Sequence, residues 1–194
     1  MRETVVVMVK EPRPGRVKTR LGRDIGMCPA ARWFRLQALS LLRRIRDPRW
    51  DLVLAVAPDR AGLQSRVWPA DLPRIAQGSG DLGARMARAM YRLAPGPVCV
   101  VGADIPDLGK IQIAAAFHTL GNHDAVFGPA PDGGFWLVGL KHPRRAPRGL
   151  FKGVRWSSEH ALADSLATLG NLKVAQIQSL RDVDTAADLR QRSG

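Results

Sequence analysis

The chain has only two cysteines among its 194 residues, Cys28 and Cys99. They lie far apart in the sequence, Cys28 in a loop or at a helix start and Cys99 within an apolar segment. Neither belongs to a CxxC or Cys/His cluster of the kind that binds zinc. The chain is therefore not expected to contain a disulfide or a structural zinc site.

Long apolar runs are also missing, since no stretch of 18 residues is apolar enough for a transmembrane helix. The N-terminus carries Arg2, but the apolar run after it is too short for a signal peptide and lacks a small-residue cleavage site. Internal repeats, low-complexity tracts and interdomain linkers are absent as well. These absences predict one cytoplasmic domain, residues 1–194, with no membrane span.

Acidic residues are few, 17 against 30 lysines and arginines, which gives a formal net charge of +13. Such a surface attracts anions, and nucleic acid is one class of partner to consider. However, the arginines are scattered through every segment and no nucleic-acid-binding motif is present. The pattern disfavours nucleic acid and favours an arginine-rich enzyme with a local preference for phosphate-bearing substrates.

The most informative stretch is residues 5–21, VVVMVKEPRPGRVKTRL. Its five apolar residues without alternation predict a strand buried on both faces, at the centre of a parallel sheet. The strand runs into a Pro/Gly loop with several cations: Lys10, Arg13, Arg16, Lys18 and then Arg20. At the carboxyl end of such a strand, backbone N–H groups and cations can bind a polyphosphate. The alternative is a solvated basic loop on a basic protein.

Further apolar runs alternate with helix-like segments along the rest of the chain. Strands are predicted at residues 52–57, 74–76, 97–103, 125–128, 135–140 and 173–177. Helices are predicted at residues 30–46, 59–68, from about 82, 110–120, after 157 and up to 189. The apolar stripe of the first helix is Trp33, Leu36, Leu39, Leu42 and Ile45. This alternation predicts an α/β fold with a mainly parallel sheet and helices on both faces.

Asp104 follows the predicted strand at residues 97–103, at the edge of the sheet where the cationic loop also lies. A carboxylate in that position suits Mg²⁺ or Mn²⁺ bound to the phosphates of a nucleotide. A helix cap is the alternative, but Asp107 is better placed to cap the helix at residues 110–120. The sequence therefore predicts that Asp104 binds a divalent metal.

Two glycine-containing turns offer further candidates. The glycines of residues 77–86, QGSGDLGARM, let the backbone approach a ligand closely, and Asp81 can cap the helix that follows. A flexible capped turn is the alternative there. Asp132 begins an Asp-Gly-Gly turn and is either a turn residue or a second acidic group near the metal.

Four later residues are assigned from local pattern alone. Ser157 is predicted to be a helix N-cap, and Trp156 either lines a pocket or merely packs. Asp182 and Asp184 are interpreted as capping and loop residues, with a metal role left open.

Six motifs together resemble one bacterial family, and they occur in the order KEPRPGRVKTRL, QGSGDLGARM, GADIPDL, GPAPDGGFWLVGL, VRWSSEHAL and DVDTAADL. The family is the GT-A-superfamily glycosyltransferases of unassigned substrate, within the nucleotide-diphospho-sugar transferase superfamily. It is similar to the 2-phospho-L-lactate and molybdenum cofactor guanylyltransferases. The resemblance runs from Val5 to Leu189 and implies a single-domain, Rossmann-like GT-A fold.

The resemblance also implies roles for individual residues. The loop that holds the nucleotide phosphates corresponds to Lys10, Gly15, Lys18 and Arg20. The loop that contacts the base or ribose corresponds to Gln77 and Gly78, followed in the pattern by Asp81 and Arg85. The metal ligand corresponds to Asp104. The acceptor-side loop corresponds to Asp132, Gly133 and Gly134, with Asp132 contacting the acceptor or a second metal.

Two departures from the related enzymes leave the reaction open. GT-A glycosyltransferases usually carry Asp-x-Asp, whereas here Gly102 lies two residues before Asp104. Nucleotidyltransferases usually carry a glycine-rich first loop ending in a catalytic lysine, whereas this loop contains Pro12 and Pro14.

Two reactions fit, each with a nucleotide-based donor, a small-molecule acceptor, and Lys18 and Arg20 stabilising charge in the transition state. One is glycosyl transfer from a nucleotide-sugar, with Asp132 as base. The other is transfer of NMP from an NTP to a small phosphorylated acceptor. A nucleic-acid-binding protein and a nucleotide-binding regulator without catalysis are the alternatives from other classes. The sequence sets no oligomeric state.

Overall fold

The computed structural model describes residues 2–190. Seven strands form one sheet in the order β3-β2-β1-β4-β6-β5-β7. Their bounds are β1 Glu3–Lys10, β2 Trp50–Ala57, β3 Arg74–Ala76, β4 Val98–Gly102, β5 Ala125–Pro129, β6 Phe135–Leu140 and β7 Val174–Gln176. All neighbouring strands run parallel except β6, which is antiparallel to both β4 and β5. The predicted mainly parallel α/β sheet is confirmed.

The helices are α1 Thr19–Ile25, α2 Met27–Arg44, α3 Asp59–Leu63, α4 Leu82–Leu93, α5 Lys110–Leu120, α6 Ala161–Ala167 and α7 Ala186–Arg190, with a 3₁₀ turn at Pro143–Arg145. Buried side chains of α2 and α5 pack in one core and those of α4 and α6 in another. Strand β1 separates the two cores, because Val5 and Val7 belong to the first and Val6 to the second. This placement explains the uninterrupted apolar run, since both faces of β1 are covered.

The predicted stripe of α2 is confirmed in part, because Leu42 and Ile45 are buried and Trp33 and Leu39 pack against the core. The helix begins at Met27, and its inward side chains include Phe34, Ala38, Leu41 and Leu42. Leu36, a member of the predicted stripe, is 56% exposed. Phe34, Ala38 and Leu41 are spaced i, i+4 and i+7, which follows the 3.6-residue period of a helix. The predicted stripe has one residue at every third position and therefore drifts around the helix.

Of the two aspartates predicted to cap helices α4 and α5, one does so and the other does not. The Asp81 carboxylate accepts a hydrogen bond from the Ala84 N–H at 2.8 Å, which confirms it as the N-cap of α4. Asp107 is not the cap of α5. The N-cap is Gly109, whose N–H donates to the Gln112 side chain at 3.0 Å.

The predicted Ser157 cap is also wrong, because α6 begins only at Ala161. Helix α3 is shorter than expected and ends at Leu63, and Trp68 packs in the core outside any helix. Cys28 and Cys99 are both free, as predicted. In the described part of the chain, no helix is both long and apolar enough to cross a membrane.

Candidate functional site

A cavity of about 690 Å³ opens at the carboxyl ends of β1 and β4. One wall comes from the loop after β1 and the start of α1, at residues 16–20. The opposite side comes from the β5–β6 turn and from residues 156–159, which precede α6. Three aspartates also line it: Asp104, Asp182 and Asp184. The cavity therefore lies where parallel α/β sheets commonly bind ligands.

The three aspartates form one carboxylate cluster. Asp104 follows β4, whereas Asp182 and Asp184 belong to the segment between β7 and α7. Each offers an oxygen, and these oxygens all lie within 4.8 Å of one another. The Val183 N–H donates to the Asp104 carbonyl at 3.3 Å, which ties the two segments together.

Asp182 and Asp184 do not cap α7, so that part of the sequence interpretation is wrong. The carboxylate that caps this turn belongs to Asp188, which accepts from the N–H groups of Asp184 at 3.0 Å and Thr185 at 2.8 Å. The side chains of Asp182 and Asp184 are thereby left to face the cavity.

Backbone contacts to β5 bring this segment to the cavity. After β7, the Ile177 N–H donates to the Phe127 carbonyl at 2.9 Å and the Leu180 N–H to the Pro129 carbonyl at 3.1 Å. The Trp136 indole N–H adds a bond to the Gln178 carbonyl at 3.0 Å. The chain is thus fixed along the sheet until it reaches Asp182.

Lys18 lies between two of the carboxylates. Its backbone adopts the left-handed conformation, with φ 45° and ψ 49°, immediately before α1. Its Nζ is 2.5 Å from Asp104 Oδ2 and 2.6 Å from Asp184 Oδ1, and its side chain is only 7% exposed. Burial lowers the pKa of Lys18, but the charges of the two aspartates outweigh that effect and raise it overall. Lys18 is therefore a buried, charged counter-ion of the cluster.

Asp182 remains poorly compensated. Burial, which is the largest cause, and the negative charges of Asp104 and Asp184 together raise the pKa of its carboxyl to about 6, although Lys18 opposes them. Lys18 and Arg20, which pairs with Asp184, leave at least one of the three carboxylate charges without a cationic partner. An all-oxygen donor set with surplus negative charge fits a hard divalent cation such as Mg²⁺ or Mn²⁺.

Gly102 explains the missing first aspartate of an Asp-x-Asp motif. A Cβ at Gly102 would lie 2.9 Å from Asp104 Oδ1 and 2.9 Å from the Ile105 side chain. A larger residue would therefore displace the Asp104 carboxylate. In this chain the additional carboxylates come from a different segment, the one that carries Asp182 and Asp184.

Of the other residues predicted to bind phosphate, the lysine and arginines line the cavity and the glycine does not. Lys10 and Arg16 line the cavity, as does Arg20, whose side chain is 62% exposed and 3.4 Å from Asp184. Gly15 does not line it, but its φ of +72° permits the turn in which the Arg16 N–H donates to the Arg13 carbonyl at 3.0 Å. Gly15 thus shapes the loop rather than the cavity wall.

The residues matched to the base-binding loop lie outside the cavity lining. Gln77 is buried, and its amide N–H₂ donates to the carbonyls of Val9 at 3.1 Å and Ala55 at 2.8 Å. The Gly78 N–H donates to Asp59, and the Arg85 guanidinium donates to the Gly80 carbonyl. Asp81 serves as the α4 cap. The predicted contact of Gln77 and Gly78 with a base or ribose stays a prediction, as does the part of Asp81 and Arg85 in the donor site.

The acceptor-side turn does reach the cavity. Asp132 and Gly134 line it, and the Gly134 N–H donates to Asp132 Oδ1 at 3.0 Å, as turn chemistry predicts. Gly133, at φ +83°, packs so closely that a Cβ would lie 2.5 Å from the Glu159 Cα. Its carbonyl accepts from the Leu162 N–H at 2.9 Å, which joins the turn to α6.

Trp156 lines the cavity and also packs against other aromatic side chains, so both roles predicted for it are present. Its ring meets Phe135 and Phe151 edge-on, with centroids 6.1 and 6.0 Å apart. A Cβ at Gly83 in α4 would lie 2.7 Å from the Trp156 ring. The indole is therefore held from two sides.

Residues 41–158 match the family described as "Uncharacterized protein conserved in bacteria (DUF2064)". The chain belongs to this family. No curated protein matches it in sequence. A solved structure from Desulfovibrio desulfuricans G20, described as a "putative nucleotide-diphospho-sugar transferase", is 31% identical, with a TM-score of 0.87 over 97% of this chain and 85% of that one. The resemblance inferred from the six motifs is confirmed.

More distant structures share the fold alone. The 4-diphosphocytidyl-2C-methyl-D-erythritol synthase of Anaerococcus prevotii DSM 20548 is 9% identical, with a TM-score of 0.63 over 98% of this chain and 95% of that one. The Rv0371c protein of Mycobacterium tuberculosis H37Rv, solved in complex with manganese, is 16% identical, with a TM-score of 0.57 over 98% and 97%. The Desulfovibrio structure, described as a transferase, supports the prediction that the chain is an enzyme, whereas these more distant structures support the fold.

Proposed function

We propose that this protein is a metal-dependent transferase that binds the phosphates of a nucleotide-based donor in the cavity above β1 and β4. The observation that carries the proposal is the cluster of Asp104, Asp182 and Asp184 beside the cationic loop of Lys10, Arg16, Lys18 and Arg20. Carboxylates alone would repel a polyphosphate. Carboxylates that hold a divalent cation next to lysine and arginine side chains attract one.

Asp104, Asp182 and Asp184 would hold the ion, which is Mg²⁺ or Mn²⁺ in this proposal. When bound, it would neutralise phosphate oxygens of the donor and of the leaving group. The manganese complex of the M. tuberculosis structure supports this choice of cation.

Lys18 and Arg20 act on the same phosphates. Lys18 is charged and held by Asp104 and Asp184, and its ammonium has a third N–H that can donate to a donor phosphate. Arg20 shares Asp184 with it and extends the positive wall toward solvent. Both cations stabilise the negative charge that grows on the departing phosphate.

Glycosyl transfer is the first candidate reaction. An acceptor hydroxyl attacks the anomeric carbon of a nucleotide-sugar, the bond from that carbon to the phosphate oxygen breaks, and the nucleoside diphosphate leaves with the electron pair. Asp132 lies on the side opposite the cations and takes the hydroxyl proton. The name of the Desulfovibrio relative supports this reaction.

Nucleotidyl transfer is the second candidate. An acceptor phosphate would attack the α-phosphorus of an NTP and release pyrophosphate. The four cations of the first loop favour it, since pyrophosphate carries more charge than the leaving group of a nucleotide-sugar reaction. A cytoplasmic location and a single-domain organisation complete the proposal.

A thermal-shift screen tests it. Wild-type protein is heated with Mn²⁺ against the common NTPs and nucleotide-sugars, because a ligand that binds the native state raises the melting temperature. We expect a metal-dependent shift with at least one of them, lost in Asp104→Asn and kept in Asp71→Asn. Asp71 is an exposed residue outside the cavity that pairs with Arg46. A shift that survives Asp104→Asn, or no shift across the panel, would contradict the proposal.

A further inference from the structure

The two sides of the cavity differ in charge. The lysines and arginines that line it come from the end of β1, the loop after it and the start of α1: Lys10, Arg16, Lys18 and Arg20. The opposite side, which we call the acceptor wall, consists of Asp132, Gly134, Phe135 and residues 156–159. The acceptor wall carries two acidic side chains, Asp132 and Glu159, and no lysine or arginine. A ligand that spans the cavity therefore meets four cations together with the carboxylate cluster at one end, and two carboxylates without a lysine or arginine at the other.

The nearest arginine in sequence is directed elsewhere. Arg155 directly precedes the acceptor wall, but its Nε and Nη2 each lie 2.9 Å from an oxygen of Asp164. Its backbone N–H donates to the same carboxylate at 3.0 Å. This ion pair holds the guanidinium on α6, so Arg155 does not line the cavity.

The acceptor wall also offers an apolar surface and a hydroxyl. Trp156 packs edge-on against Phe135 and Phe151 and lies against Gly83 of α4, so its ring is a rigid platform. Ser157 has φ 59°, a left-handed conformation that is uncommon for serine. In the described part of the chain, the Ser157 hydroxyl forms no hydrogen bond, and the residue is exposed.

These features match the chemistry of a sugar or polyol. Carboxylates and a serine hydroxyl accept hydrogen bonds from hydroxyl groups. The apolar face of an indole suits the C–H face of a sugar ring, which needs burial without charge. A phosphate or carboxylate in the same position would face Asp132 and Glu159, and like charges at close range repel.

We propose that the acceptor wall selects an uncharged, polyhydroxylated acceptor, a sugar or polyol, over its phosphate ester. This inference rests on the proposed function, since the donor must occupy the cationic end. The acceptor oxygen forms the new bond to the anomeric carbon of the donor, and its proton passes to the Asp132 carboxylate. The inference thus favours glycosyl transfer, because nucleotidyl transfer to a phosphate ester would need the disfavoured acceptor.

The test compares acceptors in matched pairs. Donor consumption is measured with the full chain, Mn²⁺ and a nucleotide-sugar mixture, in the presence of glucose or glucose 6-phosphate, and of glycerol or glycerol 3-phosphate. We expect the uncharged member of at least one pair to react about tenfold faster than its ester, on the basis of charge repulsion. Preference for the phosphate ester, or no discrimination within either pair, overturns the inference.

A charge reversal tests the wall itself. Glu159→Lys replaces an acidic residue of the wall by a cation and is expected to shift the preference at least about tenfold toward the phosphate ester. Asp51→Lys makes the same change in net charge at the amino end of β2, away from the cavity, and is expected to leave the preference unchanged. An equal shift in both variants would show that overall charge, not the wall, sets the preference.

Failure of the inference and failure of the proposed function give different results. The thermal shift with Mn²⁺ and nucleotides is measured on the same wild-type preparation. A metal-dependent shift together with a preference for phosphate esters overturns the acceptor class alone. Absence of any shift removes the donor site, and the acceptor class with it.

Discussion

At the scale of single residues, Lys18 has the most unusual position in the site. The sequence predicts that it binds donor phosphates, and the structure places its ammonium between Asp104 and Asp184. A buried ion pair compensates the charge of both partners, and removal of one partner leaves the other uncompensated. Lys18 therefore links the carboxylates to the phosphate-binding loop, and it competes with a divalent cation for the same oxygens.

Lys18→Gln should separate these two roles. Loss of the ammonium should raise the affinity for Mn²⁺ alone by about tenfold, because two carboxylates lose a competing cation. The same variant should weaken the binding of nucleoside triphosphates more than that of monophosphates. Calorimetric titrations with Mn²⁺ and with each nucleotide measure both effects.

The control for this variant is Lys110→Gln, which removes an exposed lysine that pairs with Asp47 at the start of α5. It should change neither affinity. Equal losses for triphosphate and monophosphate in Lys18→Gln would remove Lys18 from the phosphate site, and unchanged Mn²⁺ affinity would remove it from the metal cluster.

At the scale of elements, the segment between β7 and α7 decides whether the cluster forms. It carries two of the three carboxylates and is held by β5, by the Trp136 indole and by Asp188. The contacts with β5 and Trp136 join segments that are distant in sequence. The metal site therefore depends on hydrogen bonds that the three carboxylates do not themselves form.

Trp136→Phe should weaken metal binding through the segment that carries Asp182 and Asp184. The variant keeps the aromatic ring but loses the hydrogen bond to Gln178, which should cost about 1 kcal/mol of stability and loosen the segment before Asp182. Trp50→Phe is a matched control, because its indole also donates to a buried carbonyl, that of Ile45 at 2.9 Å, at the amino end of β2. Chemical denaturation and Mn²⁺ titration should show similar stability losses but weaker metal binding only in Trp136→Phe.

Asp188→Ala should act on the same segment from its other end. The Asp188 carboxylate accepts from two backbone N–H groups and from the Thr185 hydroxyl at 2.8 Å, and alanine loses all three bonds. We expect weaker Mn²⁺ binding in alanine and recovery in Asp188→Asn, which retains an acceptor oxygen. If asparagine fails to restore binding, the charge of Asp188 and not its hydrogen bonds would be the important property.

At the scale of the whole molecule, much of the fold follows from sequence because the apolar runs are unambiguous. Residues 5–9 and 52–57 lack alternation, and strands buried on both faces are the usual cause. The position of Asp104 is also predictable, since it directly follows such a run. These inferences need only local pattern and the geometry of parallel sheets.

The remaining part of the site is not predictable because it depends on distant contacts. Asp182 and Asp184 look like loop residues until β7 pairs with β5 and Trp136 bonds to Gln178, 42 residues away. For Gln77 the motif predicts contact with a ligand, but in the structure its side-chain amide donates to carbonyls of β1 and β2 instead. A motif shows which residues occur together in the sequence, but the contacts of their side chains depend on how the strands pair.

The overall charge of +13 supports a contrasting whole-molecule hypothesis, in which the basic surface binds nucleic acid. That hypothesis predicts salt-dependent, sequence-independent affinity that is indifferent to Asp104. The proposed transferase instead binds its anionic ligand in the cavity, and that binding depends on the carboxylate cluster.

The most direct test is therefore a titration of Mn²⁺ by electron paramagnetic resonance with wild-type protein, Asp104→Asn, Asp182→Asn and the exposed control Asp71→Asn. A metal site at the cluster predicts binding to wild type and to the control, and its loss in both cluster variants, with all four proteins folded by circular dichroism. Equal Mn²⁺ binding by the wild type and the two cluster variants would contradict a metal site at the cluster.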